Sequence, residues 1–446
     1  MVSAAEQLAS NMNFGVFAKA TELKNRIWFT LGVLIAYRFG TYIPLPGIDP
    51  VIMNDIFRQN AGGVLGMLDM FAGGAISRMS IFALNIMPYI SASIIVQLCT
   101  AIVPSMEALK KEGEAGRKKL NQYTRYGTVA LAAVQAYAIA IGLEGMRGTV
   151  GSAVTDPGMF FRVVTVITLT GGTLFLMWMG EQITARGIGN GQSLIIFAGI
   201  VAHLPTAFAQ LFELARTGAI STTFLLVLVV MAIAVITFIV FCERAMRKVV
   251  VQYPRRQTAQ GATQAESSFL PMKLNTAGVI PPIFASSLLL LPLTFTGFVH
   301  GDSPEWLRWI ATHVAHGQPA YMALYALLII FFAFFYTAIV FNPAETAENL
   351  RKYGGFVPGI RPGATTANYL DFVLTRLTVL GSLYLALVCL LPEFLIAEHA
   401  VPFYFGGTSL LIVVSVTLDT VQQINAHLIQ HQYEGLIKKA KLRGRA

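Results

Sequence analysis

The sequence predicts an all-α polytopic membrane protein with ten transmembrane helices, and three observations predict it. The chain of 446 residues is 55% hydrophobic and only 12% charged, about half the charge of an average soluble domain, and its mean hydropathy is +0.62. Its apolar residues come in blocks of about 20, the length that crosses a hydrocarbon core of about 30 Å. Its basic residues crowd onto one side of those blocks.

The blocks lie at roughly 27–46, 79–103, 127–143, 163–180, 190–212, 222–242, 274–297, 320–341, 373–391 and 404–424, each suited to one spanning helix. An even count puts both termini on one side. Of the 32 Lys and Arg residues, 24 fall on that side and 6 on the other. Basic loops stay cytoplasmic, so both termini are expected in the cytoplasm. This placement reads the net charge of +9 as a topology signal rather than a nucleic-acid footprint. Residues 1–26 form an N-terminal cytoplasmic segment holding Glu6, Lys19, Glu22, Lys24 and Arg26. They contain no short apolar core before a small-residue cleavage site, so the first span is expected to insert the protein itself. The span count suggests two pseudo-symmetric halves, 27–212 and 213–424, with a cytoplasmic tail at 425–446. No sequence repeat links the halves.

After the first span comes GIDPVIMNDIFRQNAGGVLGMLDMFAGGAISR, residues 47–78. It is too short and too glycine-rich to span alone. A small re-entrant helix packed inside protein fits, because irregular backbone at membrane depth must be sheltered from lipid. An ordered external loop fits as well. The second block contains LNIMPYISASIIVQL, Leu84–Leu98. Pro88 removes a backbone hydrogen bond and is expected to bend the helix. Ile86 and Ile90 are four apart and share a face, while Ser91 and Ser93 let neighbouring helices approach. Bulky apolar side chains around a water-accessible path would gate it by resisting wetting, and ordinary core packing gives the same pattern.

GIGNGQS, Gly187–Ser193, is neither a Walker loop nor a dinucleotide motif, and reads as a tight turn entering the fifth span. Three loops are long and basic, at about 104–126, 243–273 and 342–372. Cys99, Cys242 and Cys389 lie in spans and read as small buried hydrophobes, with no disulfide, metal or cofactor expected. The span interiors carry almost no ionisable residues, which are costly there and mark chemistry when present. That disfavours an intramembrane enzyme. It also weakens the alternative of an ion-coupled secondary transporter of small solutes.

The blocks FALNIMPYISASIIVQL, KKEGEAGRKKLNQYTRYGT, GIGNGQSLIIFAGIVAHLP, LNTAGVIPPIFASS, NPAETAENLRKYGGFVPGIRPG and FYFGGTSLLIVVSV, with the later QYEGLIKKAKLRG, together resemble the bacterial SecY (SecY/Sec61-alpha) family. These are the channel subunits of the Sec protein translocase. The resemblance runs from about residue 20 to the C-terminus. It implies two five-helix halves clamped around a central hourglass pore. Six mostly aliphatic side chains form its waist, here matched by Ile86, Ile90, Gln192, Ile196, Ile283 and Ile412. Gln192 departs from the usual apolar residue after GIGNG. The segment near 62–75 matches the plug, with Gly63, Leu65, Gly66, Leu68, Phe71 and Gly73. Pro88, Ser91 and Gln97 match one wall of a lateral gate facing the seventh span. Arg255, Arg256 and Arg361 sit in loops that dock the ribosome or the SecA ATPase, and a polyanionic RNA would attract them in a salt-dependent way.

The implied function is a protein-conducting channel without catalysis. It passes unfolded preproteins bearing signal sequences across the bacterial cytoplasmic membrane and releases transmembrane segments into the lipid bilayer. SecE and SecG are the implied membrane partners.

Overall fold

The computed structural model describes residues 21–59, 69, 72–145, 151–218, 221–253, 257–258, 261–262, 267–298, 318–399 and 407–443. A helix accompanies each of the ten expected blocks. In chain order the helices are α1 (Thr21–Gly40), α2 (Pro50–Gln59), α3 (Met87–Ile102), α4 (Pro104–Lys111), α5 (Glu114–Gly145), α6 (Met159–Arg186), α7 (Gly191–Arg216) and α8 (Thr222–Arg244). Beyond them lie α9 (Ile280–Phe298), α10 (Pro319–Val340), α11 (Pro343–Lys352), α12 (Ala364–His399) and α13 (Gly407–Arg443).

Among the described residues, seven helices are long and apolar enough to cross a membrane, eight if the bent pair α3 and α4 is one span. The protein is therefore a multi-pass membrane protein. Helix α1 carries Lys24, Arg26 and Arg38 within its 20 residues, which sets it apart from the plainly apolar spans. Helix α2 was not singled out in the 47–78 segment. It starts where Asp49 caps it: the Asp49 carboxylate accepts the Val51 amide at 2.8 Å, and Pro50 supplies a preset φ in the first turn.

The second expected span departs from a simple helix. Residues 79–86 run through turns, and helix begins only at Met87. Met79 and Asn85 have positive φ, 43° and 50°, a region that Asn tolerates and Met rarely visits. Pro88 thus stands in the first turn of α3, not in a helix interior. Its missing N–H is one of the four that a helix start leaves unpaired anyway, so it nucleates α3 rather than bending it. The sharp bend comes at the other end, where α3 and α4 meet at 98° across Val103.

This irregular passage is almost wholly buried, as non-helical backbone at membrane depth must be. Two glycines make room for it. A Cβ at Gly172 of α6 would overlap the Ile81 carbonyl oxygen, and one at Gly40 of α1 would overlap the Phe82 ring.

Helices α5 and α6 pack side by side, and α3 lies on α5. In the later part of the chain α10 packs on both α9 and α12. Two seams join the parts: α9 lies against α3 and α5, and α13 lies against α7 and α1.

The 243–273 loop holds strands, which the all-helical expectation omitted. Strands β1 (Met246–Gln252) and β4 (Ser267–Lys273) pair antiparallel, with Met246 opposite Lys273 and Gln252 opposite Ser267. The short β2 (Gln257–Thr258) and β3 (Gly261–Ala262) pair beyond them. In MRKVVVQ the alternation buries Val249 and Val251, the period-2 pattern of a half-buried strand. The 342–372 loop docks onto this hairpin. Gln252 and Phe356 exchange both backbone hydrogen bonds, at 2.9 and 3.0 Å. Val249, Met272, Ala347, Val357, Leu370, Val373 and Leu374 share one buried cluster.

Candidate functional site

Ile86, Ile90, Ile196, Ile283 and Ile412 come from α7, α9, α13 and the start of α3. All five belong to one continuous buried cluster, and none is more than 8% exposed. Ile86 is the residue before α3 and Ile90 lies one turn on, bonded to it N to O at 3.1 Å.

Gln192 is placed differently. It sits at the start of α7, one turn before Ile196, and is half-buried. It lines a cavity of about 310 Å³ with the polar residues Tyr89, Asn121, Arg125, Glu181 and Asn190 among others. A forked ion pair crosses that cavity wall, Arg125 to Glu181 at 2.6 and 3.1 Å. The residue therefore stands among polar side chains.

The turn before it is tight because three helices meet there. A Cβ at Gly191 would overlap the Gly180 carbonyl of α6. The freed amides find side chains: Ile188 N–H donates to Thr30 at 3.1 Å, Gly189 N–H to Gln423 at 2.8 Å, and Gly191 N–H to Thr184 at 2.9 Å. Asn190 caps α7 through the Gln192 amide at 3.2 Å.

Of the gate residues, Pro88 and Ser91 are buried on α3. The seam with α9 carries a weak hydrogen bond, Ser287 Oγ donating to Met87 sulfur at 3.9 Å. Ser286 and Ser287 are buried there too, so both walls present small polar residues. Gln97 donates within its own helix, to Ser93 Oγ at 3.2 Å.

Of the plug residues, Gly63, Leu65, Gly66, Leu68 and Phe71 lie outside the described residues, and Gly73 lies within them. Gly73 has φ of +66°, the left-handed region glycine favours. Its carbonyl accepts Arg38 Nη1 at 2.8 Å, and the Gly74 carbonyl accepts Arg78 Nε at 2.9 Å. Arg255 and Arg256 also fall outside the described residues. Arg361 is exposed in a turn with Gly359 and Gly363 at positive φ, and its carbonyl accepts the Thr366 hydroxyl at 2.9 Å.

A family model for SecY matches residues 80–421, more than half of the chain. The chain belongs to the SecY family. SecY relatives span almost its whole length. The protein translocase subunit SecY of Rickettsia bellii is 51% identical over 433 residues, covering 97% of this chain and 100% of the relative. That of Escherichia coli K12 is 53% identical over 424 residues, covering 95% and 96%. The SecY fold is shared with a solved protein conducting channel at TM-score 0.64 and 17% identity, covering 90% of this chain and 92% of that one. It is shared as well with Sec61 in the canine ribosome-channel complex, at TM-score 0.60 and 17% identity, covering 90% and 92%.

Two polar residues of this SecY-family chain were missed in the sequence, Asp69 and His203. His203 is an ionisable side chain inside an apolar span, a signal that marks function by default. In the block GIGNGQSLIIFAGIVAHLP it is masked by the stronger glycine and isoleucine pattern.

Proposed function

We propose that this chain is the central protein-conducting channel subunit of a Sec translocase in a bacterial cytoplasmic membrane, both termini facing the cytoplasm. It passes unfolded preproteins outward through the waist and releases apolar segments sideways between α3 and α9. The two five-helix halves, 27–212 and 213–424, move apart along that seam. The observation that supports this reading is that Ile86, Ile90, Ile196, Ile283 and Ile412, contributed by separated helices, are all buried within the one large apolar core.

Such a waist closes by the hydrophobic effect. Each isoleucine withdrawn from water contributes about 1.5–3 kcal/mol. Aliphatic side chains also offer a moving chain no specific hydrogen bonds, which suits cargo of any sequence. Gln192 stands at the terminal-side margin of the waist. Gly73 and its neighbours form the plug's return turn. Arg361, with Arg255 and Arg256, offers positive charge to ribosomal RNA or to SecA, and SecE and SecG complete the membrane complex. Energy for transport comes from those partners.

The test places one cysteine at Ile90 in a chain lacking Cys99, Cys242 and Cys389, reconstituted with its partners around a stalled precursor. The expected result is a signal-dependent cross-link at position 90 and none at Leu226, which is 65% exposed on α8. A precursor that crosses the membrane without touching position 90 overturns the assigned path.

A further inference from the structure

One face of α7 carries Gln192, Ile196, Gly199 and His203, at offsets of four, seven and eleven residues, which helical periodicity stacks in a line. Below the isoleucine, Gly199 lets the 72–78 turn come close: a Cβ at Gly73 would lie 2.9 Å from the Gly199 Cα. One turn further, His203 Nε2 lies 3.2 Å from the Asp69 carbonyl oxygen. A carbonyl can only accept, so Nε2 carries the hydrogen and donates.

Asp69 and the 72–78 turn are bonded into one unit. The buried Asp69 carboxylate accepts the Ile76 and Ser77 amides at 2.8 and 2.9 Å, and the Asp69 carbonyl also accepts the Gly74 amide at 3.2 Å. From α1, Tyr37 donates to the Ala72 carbonyl at 3.4 Å and Arg38 to the Gly73 carbonyl at 2.8 Å. Among the described residues, His203 is the side chain of α7 that bonds this turn. Two residues on, Pro205 stands inside α7 and leaves the Val201 carbonyl without its helical donor, a weak point where a helix bends.

We propose that His203 is a positioning residue that couples the waist to the plug. It ties the plug's return turn to the helix that carries Ile196, so a displacement of α7 that withdraws Ile196 also breaks the His203–Asp69 bond. Opening the waist and freeing the plug then become one event. This rests on the channel reading above.

The test compares His203→Ala, His203→Gln and, as control, Ile90→Asn in the complete translocase. The readouts are export of a reporter with a defective signal sequence and export of the same reporter with an intact one. Losing one hydrogen bond is expected to raise defective-signal export about fivefold in His203→Ala, with intact-signal export unchanged. Gln can donate from a similar position, so His203→Gln is expected to stay near the parent.

A cysteine at Ser77→Cys, in the chain without native cysteines, should gain accessibility to an impermeant thiol reagent in the His203→Ala background. An unchanged His203→Ala beside a loosened Ile90→Asn overturns the coupling and leaves the channel reading intact. Equal loosening by Ala and Gln also overturns it, since the hydrogen bond is then irrelevant. If Ile90→Asn too is silent, the channel reading fails and the coupling falls with it.

Discussion

At Gly172 only a hydrogen fits between α6 and the Ile81 carbonyl. Gly172→Ala is expected to destabilise the closed protein by about 1–3 kcal/mol, the usual cost of overpacking, read as a lower Tm of the purified complex. The isoleucine cluster responds in the opposite sense to polarity. Ile283→Asn buries an amide with no arranged partner, at about 1–3 kcal/mol, and that cost falls on the closed state alone. Export of a defective-signal reporter should rise accordingly, and unchanged export would remove Ile283 from the waist. Gln192 supplies the contrast. Most residues lining its cavity are polar, so Gln192→Leu should alter defective-signal export by no more than about twofold. A strong tightening of the closed state would put it back among the isoleucines. In the sequence these six residues looked like one set, because motif matching gives position along the chain and not which neighbours surround each turn of a helix.

At the level of elements, the seam between α3 and α9 is the part that must separate if segments leave sideways. A cysteine pair, Met87→Cys with Ser287→Cys, replaces the contact seen at 3.9 Å. In a chain without native cysteines, oxidation should abolish transport and reduction should restore it. Transport through a chain shown to be cross-linked would mean that these helices need not part. A helix at each of the ten blocks was legible because apolar blocks of spanning length are a strong signal, although seven or eight of the described helices are long and apolar enough to cross a membrane. The break at 79–86 was not. SIFALNI is as apolar as any helix, and its turns are held by Gly40 and Gly172, far off in sequence. Pro88 was visible but its place was not: the same proline kinks a helix from inside and starts one from the first turn. The hairpin at Met246–Lys273 was hidden by its charges, which drew attention to topology rather than to the alternation in MRKVVVQ.

For the molecule as a whole, charge and mechanics meet in the two basic loops, 243–273 and 342–372. If Arg361 meets ribosomal phosphate, binding should weaken with salt, and Arg361→Ala should reduce the slope of log K against log salt by about 0.7–0.9. A slope that does not change assigns the contact to other residues. What such a contact achieves follows from the join between the two loops. The hairpin and the 353–363 turn are clamped by the paired backbone bonds of Gln252 and Phe356 and by a shared apolar cluster. The hairpin is continuous with α8 at one root, and the second loop runs into α12. They therefore behave as one stiff handle with two roots. A partner that pushes on its end does not deform a loop. It applies a torque to the helices at both roots, and on the channel reading the proposed waist lies at the far end of that lever.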